Sequence, residues 1–167
     1  MKIYLVGYMG CGKSTLGKPL ARKLLYDFID MDSYIERKEN STISELFKDR
    51  GEKQFRQIER ECLEELSASD NIVIATGGGV ASHLNNMEYM IKKGITIYLK
   101  MDGATLVSRL AISQVPRPLL QGKSREEMLE TVNSMLIERE PFYNKAHIII
   151  NGKDIKVDDI LEEIKKW

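Results

Sequence analysis

The sequence predicts an α/β protein built on a parallel sheet. Three observations lead there. Strand-like and helix-like segments alternate along all 167 residues. Five short apolar runs rich in β-branched residues are each followed by a helical pattern. A glycine-rich segment, Gly7-Tyr8-Met9-Gly10-Cys11-Gly12-Lys13-Ser14, sits between the first such strand and the first such helix. It fits G-x-x-x-x-G-K-[ST] at every fixed position, so a nucleotide-phosphate grip is expected.

The first strand is Ile3 to Val6, and Leu16, Leu20 and Leu24 mark one face of the helix after it. Pro19 lies inside that helix, where it removes an N–H bond, so a local kink near Thr15 to Pro19 is expected. Phe28-Ile29-Asp30 is the second strand, followed by a polar helix from about Met31 to Asn40. Thr42 and Glu45 have capping-box spacing and start a short helix through Phe47. The next helix, about Glu52 to Leu66, buries Phe55, Ile58, Cys62 and Leu66. Ile72 to Ala75 is the third strand, ended by Thr76-Gly77-Gly78-Gly79. Val80, Leu84, Met87 and Ile91 mark one further helix, and Ile95 to Leu99 the fourth strand. Leu106, Val107 and Leu110 face inward from the helix after Asp102.

Residues 112–123 then break the rhythm, with Pro116, Arg117 and Pro118 in a stretch without periodicity. An irregular loop of that length reads as a lid. Ser124 and Glu127 form a second capping box, and the helix turns Met128, Leu129, Val132, Met135 and Leu136 inward. Ile148 to Ile150 is the fifth strand, and Val157, Ile160, Leu161 and Ile164 line the last helix.

Bulk properties bound the function. The length argues for a single domain, 1–167. Lys+Arg and Asp+Glu both number 25, so the basic excess of a nucleic-acid binder is missing. No apolar run approaches the ~18 residues of a membrane span. Cys11 and Cys62 make no disulfide framework. With the phosphate motif in the first fifteen residues there is no room for a signal peptide, and a cytoplasmic location is expected.

The motif assigns chemistry residue by residue. Gly10, Cys11, Gly12, Lys13, Ser14 and Thr15 form the nucleotide-binding set. Backbone N–H groups and the following helix terminus face the phosphates. Lys13 adds a point charge, and the Ser14 hydroxyl can ligate Mg2+. Cys11 reads as a small space-filler. Asp30 and Asp32 close the second strand, and an i, i+2 pair in extended chain points to one side. Asp30 then suits the metal, through water, and Asp32 the attacking hydroxyl. The simpler alternative is a helix N-cap beside a solvated acid.

Arg56 and Glu59 are one turn apart. From spacing alone an ordinary surface pair is the favoured reading. The alternative is an Arg56 fork on a substrate carboxylate. Three glycines at 77–79 permit close approach of a ligand to backbone. Arg117, stiffened between two prolines, can close over a transferring phosphoryl group or simply be solvated. Arg109 and Arg139 end predicted helices, which suits the negative helix terminus. His83 and His147 are isolated and receive no role.

Taken together, LVGYMGCGKSTLG, FIDMDSYIE, GEKQFRQIE, TGGGV, RPLL and REPFY resemble the shikimate kinase family, over essentially the whole chain. The resemblance implies a P-loop NTPase-type three-layer sandwich with strand order 2-3-1-4-5. It implies an ATP-dependent small-molecule kinase with Mg2+, whose partners are ATP and shikimate; a monomer is expected. A substrate-binding insertion at about 31–60 and a lid at about 112–123 would flank the site. Asp32, Arg56, Gly78, Gly79 and Arg139 would hold shikimate, with Glu36 and Glu59 orienting Arg56. Lys13, Asp32 and Arg117 would be catalytic, Ser14 and Asp30 would serve the metal, and Arg109 would pack on adenine. Family members often place a proline on adenine's other face, where Asn151-Gly152-Lys153 offers none.

Overall fold

The computed structural model describes residues 1–113 and 120–167. Pro116, Arg117 and Pro118, with most of the expected lid, lie outside the described residues. The five strands β1 (Lys2–Val6), β2 (Asp27–Asp30), β3 (Ile72–Ala75), β4 (Ile95–Lys100) and β5 (Ile148–Asn151) form one parallel sheet in the order β2-β3-β1-β4-β5. Every pairing is parallel, as helical crossovers require.

The layers follow from the two-residue period of a strand. In β1, Ile3 and Leu5 join one buried cluster while Tyr4 and Val6 join the other. Both faces are therefore covered, and β1 reads as a continuous apolar run. On the Ile3 side lie α1 (Lys13–Leu24), α5 (Gly103–Ile112), α6 (Arg125–Tyr143) and α7 (Val157–Lys166). On the Tyr4 side lie α2 (Met31–Glu39), α3 (Ile43–Leu66) and α4 (Asn86–Lys93). Tyr143, at the end of α6, crosses to this second cluster.

Helix boundaries come largely from caps. Asp30, Thr42, Asp102 and Ser124 accept from the backbone N–H of Ser33, Glu45, Thr105 and Glu127. The expected break between two helices near residue 50 is a single residue: Gly51, at φ 77 and ψ 169, interrupts α3.

Two expectations need correction. The helix expected from Val80 to Ile91 is split into a 3₁₀ turn, Val80–Ser82, and α4. Leu84 and Asn85 between them adopt left-handed backbone, and Leu84 is exposed rather than inward. The buried Asn86 causes the turn, since its Nδ2 donates to the Val80 carbonyl at 3.0 Å. Pro19 lies inside α1, which runs from Lys13 to Leu24. Asp32 lies in the first turn of α2 and not in extended chain, so it does not share a direction with Asp30.

Candidate active site

The phosphate loop leaves β1 at its carboxyl end, where parallel sheets place their ligands. Gly10 at φ 81 and Gly12 at φ 97 hold conformations that side-chain-bearing residues rarely adopt. Gly12 caps α1, and its carbonyl accepts from Leu16 N at 2.8 Å. Lys13 is buried, and its Nζ donates to the carbonyls of Gly7 at 2.7 Å and Tyr8 at 2.9 Å. Its ammonium is thereby folded along the loop it serves. Cys11 is buried with Sγ 3.7 Å from Lys13 Nζ, filling space under the loop. Thr15 is exposed at the start of α1.

Ser14 and Asp30 meet: Ser14 Oγ donates to Asp30 Oδ2. The other oxygen, Oδ1, accepts from Ser33 N at 3.1 Å. Asp30 is thus both the N-cap of α2 and the partner of the phosphate-loop serine. The N-cap reading weighed for it is the one the geometry shows.

The glycine turn after β3 is the hub of the site, since the groups packed on it come from four elements. A Cβ on Gly77 would lie 2.7 Å from Asp32 Oδ1 and 3.2 Å from Glu59 Oε1. One on Gly78 would lie 3.3 Å from Met9 N and 3.4 Å from Arg139 Nη1. On Gly79 it would lie 2.5 Å from Arg56 Nη1. Only glycine lets two arginines, two carboxylates and the phosphate loop come this close to one turn. The N–H groups of Gly78 and Gly79 donate to no acceptor among the described residues.

Arg56 is not the surface residue that spacing favoured. Its side chain is 11% exposed, and Nη1 donates to Glu59 at 2.7 Å. Glu52 lies 3.5 Å from Nη2, and the rings of Phe47 and Phe55 are each 5.4 Å from the guanidinium carbon. Nε is buried and has no partner among the described residues. Glu59 is 2% exposed. Burial pushes its carboxyl up to about 7, against the opposing pull of Arg56, with Asp32 adding to the rise. Glu36 does not reach Arg56; its Oε1 accepts from Ile43 N at 2.9 Å, at the start of α3.

Arg139, near the end of α6, lies over the Tyr8 ring at 5.5 Å, beside Tyr143. Arg109 stands elsewhere, between the phosphate loop and the β5–α7 connection. A Cβ on Gly12 would lie 3.5 Å from its Nη1, and its Nη2 donates to the Lys153 carbonyl. The segment that lacks a proline is therefore tied to Arg109. Two neighbours of the glycine turn were not assigned from the sequence: Tyr143, whose hydroxyl donates to the Gly78 carbonyl, and His83, whose Nδ1 is 2.7 Å from the Gly79 carbonyl. Their only signals were an element of REPFY and a four-residue offset from Gly79.

This arrangement fits transfer of a phosphoryl group to an anionic acceptor, and relatives of known family agree. The family model for shikimate kinase matches residues 9–167. The chain belongs to the shikimate kinase family. A shikimate kinase of Bacteroides fragilis is 46% identical over 149 residues, covering 89% of this chain and 83% of that protein. The crystal structure of shikimate kinase from Bacteroides thetaiotaomicron superposes with a TM-score of 0.94 at 40% identity, covering 99% of this chain and 97% of that one. Shikimate kinase from Acinetobacter baumannii, solved in complex with shikimate, gives 0.85 at 37% identity, covering 99% and 90%. The sheet order and the layers are those expected of this P-loop kinase fold.

Proposed function

We propose that this chain transfers the γ-phosphoryl group of ATP to the 3-hydroxyl of shikimate, giving shikimate 3-phosphate and ADP on the route to chorismate and aromatic amino acids. One observation carries the reading. The Gly77–Gly79 turn brings Arg56, Arg139 and Asp32 to the edge of the phosphate loop at Met9. Two guanidinium groups there select an acid over a neutral sugar. Arg56 and Arg139 take the carboxylate, Asp32 orients the ring hydroxyls, and Gly78 and Gly79 supply backbone donors. Lys13 swings from the loop carbonyls to the outer phosphates.

Mg2+ fits the residues present. Ser14 Oγ and the Asp30 carboxylate form an all-oxygen pair at the mouth of the loop. No cluster of three His, Cys, Asp or Glu side chains suits a metal among the described residues. That fits an ion drawing most of its ligands from water and phosphate. Ser14 directly and Asp30 through water would hold it, and it would offset charge on the phosphates. Arg109 packs on adenine beside the Lys153 segment.

Residues 1–167 act as one kinase domain, with 31–60 as the acid-binding insertion and 112–123 as the lid. Arg117 in that lid screens the transferring group and helps exclude water. The protein works as a cytoplasmic monomer with neither nucleic-acid nor membrane partners. No helix among the described residues is long and apolar enough to cross a membrane.

The test is an ADP-coupled assay across shikimate, gluconate and nucleoside monophosphates. Turnover with shikimate and not with the others is expected. Turnover with gluconate or a nucleotide alone would overturn the substrate. In the same assay, Arg117→Ala should lower kcat more than it raises shikimate KM, and the opposite pattern would reassign that residue.

A further inference from the structure

A Gly-Gly peptide is the easiest in a chain to flip, because neither residue carries a Cβ to resist it. In a trans peptide the C=O of one residue and the N–H of the next lie in one plane and point in opposite directions. Whatever grips the Gly78 carbonyl therefore also aims the Gly79 N–H. No cis peptide occurs among the described residues.

Three side chains grip this turn, one from α6 and two from the residues just after the turn, and the Ser82 N–H also donates to the Gly79 carbonyl at 3.2 Å. The Tyr143 hydroxyl, on the last turn of α6, donates to the Gly78 carbonyl. Tyr143 is fully buried, its ring 4.9 Å from that of Tyr98, and the Arg139 guanidinium stands near it. The phenol thus fixes a backbone plane next to a substrate-facing guanidinium. His83 takes the next carbonyl, with Nδ1 2.7 Å from Gly79 O. A carbonyl only accepts, so Nδ1 carries the proton. Ser82 Oγ donates to the same carbonyl at 3.0 Å. His83 Nε2 faces Glu52 at 3.7 Å, and Glu52 is the outer partner of Arg56.

We propose that Tyr143 and His83 are positioning residues for the acid substrate: they lock consecutive peptide planes of the glycine turn, so that the Gly79 N–H and the flanking arginines are preset for it. Neither touches the transferring group, so the effect belongs to acceptor binding and not to the chemical step. The inference rests on the assignment of this crevice to shikimate, made above.

Tyr143→Phe removes the hydroxyl and keeps the ring packing. His83→Ala acts at a site one-third exposed, so it tests the same clamp without disturbing the core. Steady-state kinetics should show shikimate KM raised about three- to tenfold in Tyr143→Phe and about two- to threefold in His83→Ala. The KM for ATP should be unchanged in both, and kcat should stay within about twofold. If Tyr143→Phe does not fold, His83→Ala decides alone. Unchanged shikimate KM in the folded variants would overturn the clamp, as would a parallel rise in both KM values. Arg56→Ala separates the layers. A raised shikimate KM there, with none in the clamp variants, sinks the clamp and leaves the crevice assignment standing. No effect in Arg56→Ala removes the assignment and the clamp together.

Discussion

Arg56 and Glu59 form the pair on which the acid-binding side of the crevice turns. Their geometry is a single contact of 2.7 Å in a nearly dry setting. A guanidinium so placed is a planar fork, and lysine cannot reproduce it. Arg56→Lys should therefore raise shikimate KM about tenfold or more while leaving the KM for ATP unchanged, and equal shifts in both would contradict the assignment. Glu59 predicts a pH effect. Its carboxyl sits at about 7 in the folded protein against an ordinary 4.5. A carboxyl raised on folding contributes stability that is complete below the unfolded value and is lost as pH climbs through the folded one. The wild type should thus lose stability relative to Glu59→Gln between about pH 4.5 and 7. Thermal melts of the two proteins at pH 5 and pH 8 measure this, and a constant difference between them would refute it. This burial was invisible in the sequence. Spacing shows that two side chains share a helix face, but not which face meets the core. Phe47 and Phe55, on either side of the Gly51 break in α3, and the glycine turn after β3 pack around Arg56, and that packing depends on the tertiary fold.

Elements were more legible than pairs. All five strands and both capping boxes could be read, because apolar runs and Ser/Thr-x-x-Glu spacing report local physics. One misreading is a local signal overridden by a distant partner, and the other is a helix cap two residues away. Leu84 has helical spacing, yet Arg60 Nη1 donates to its carbonyl at 3.3 Å and to Asn86 Oδ1 at 3.1 Å, holding a turn. Asp32 follows a strand, yet Asp30 caps a helix that already contains it. Close helix–strand contact is equally hidden. A Cβ on Gly17 of α1 would lie 2.5 Å from Phe28 Cε2 and 3.1 Å from Leu5 Cδ1. Gly17→Ala gains helix propensity but overpacks this contact, and should destabilise the protein by about 1–3 kcal/mol. Urea unfolding gives the value, and a variant as stable as the wild type would show that Phe28 moves aside freely.

At the scale of the molecule, the sheet buries both faces and the two apolar layers share its strands. Such layers cannot come apart independently. Unfolding should be two-state across reporters. The lone tryptophan makes this measurable: Trp167 lies 5.0 Å from the His147 ring, while α7 anchors Ile160 in the core. Its fluorescence and the far-ultraviolet dichroism should share one denaturant midpoint, and an earlier fluorescence transition would reveal α7 leaving first.

The parallel sheet has one more effect. Each strand delivers its loop to the same rim, and among the described residues the site side chains gather there. Met1 opens β1 at the opposite rim, beside Asn71, and Trp167 returns to that rim beside the residue that precedes β5. A tether to a chip or a fusion partner at either terminus would hold this catalyst by its back, with its mouth facing the solution.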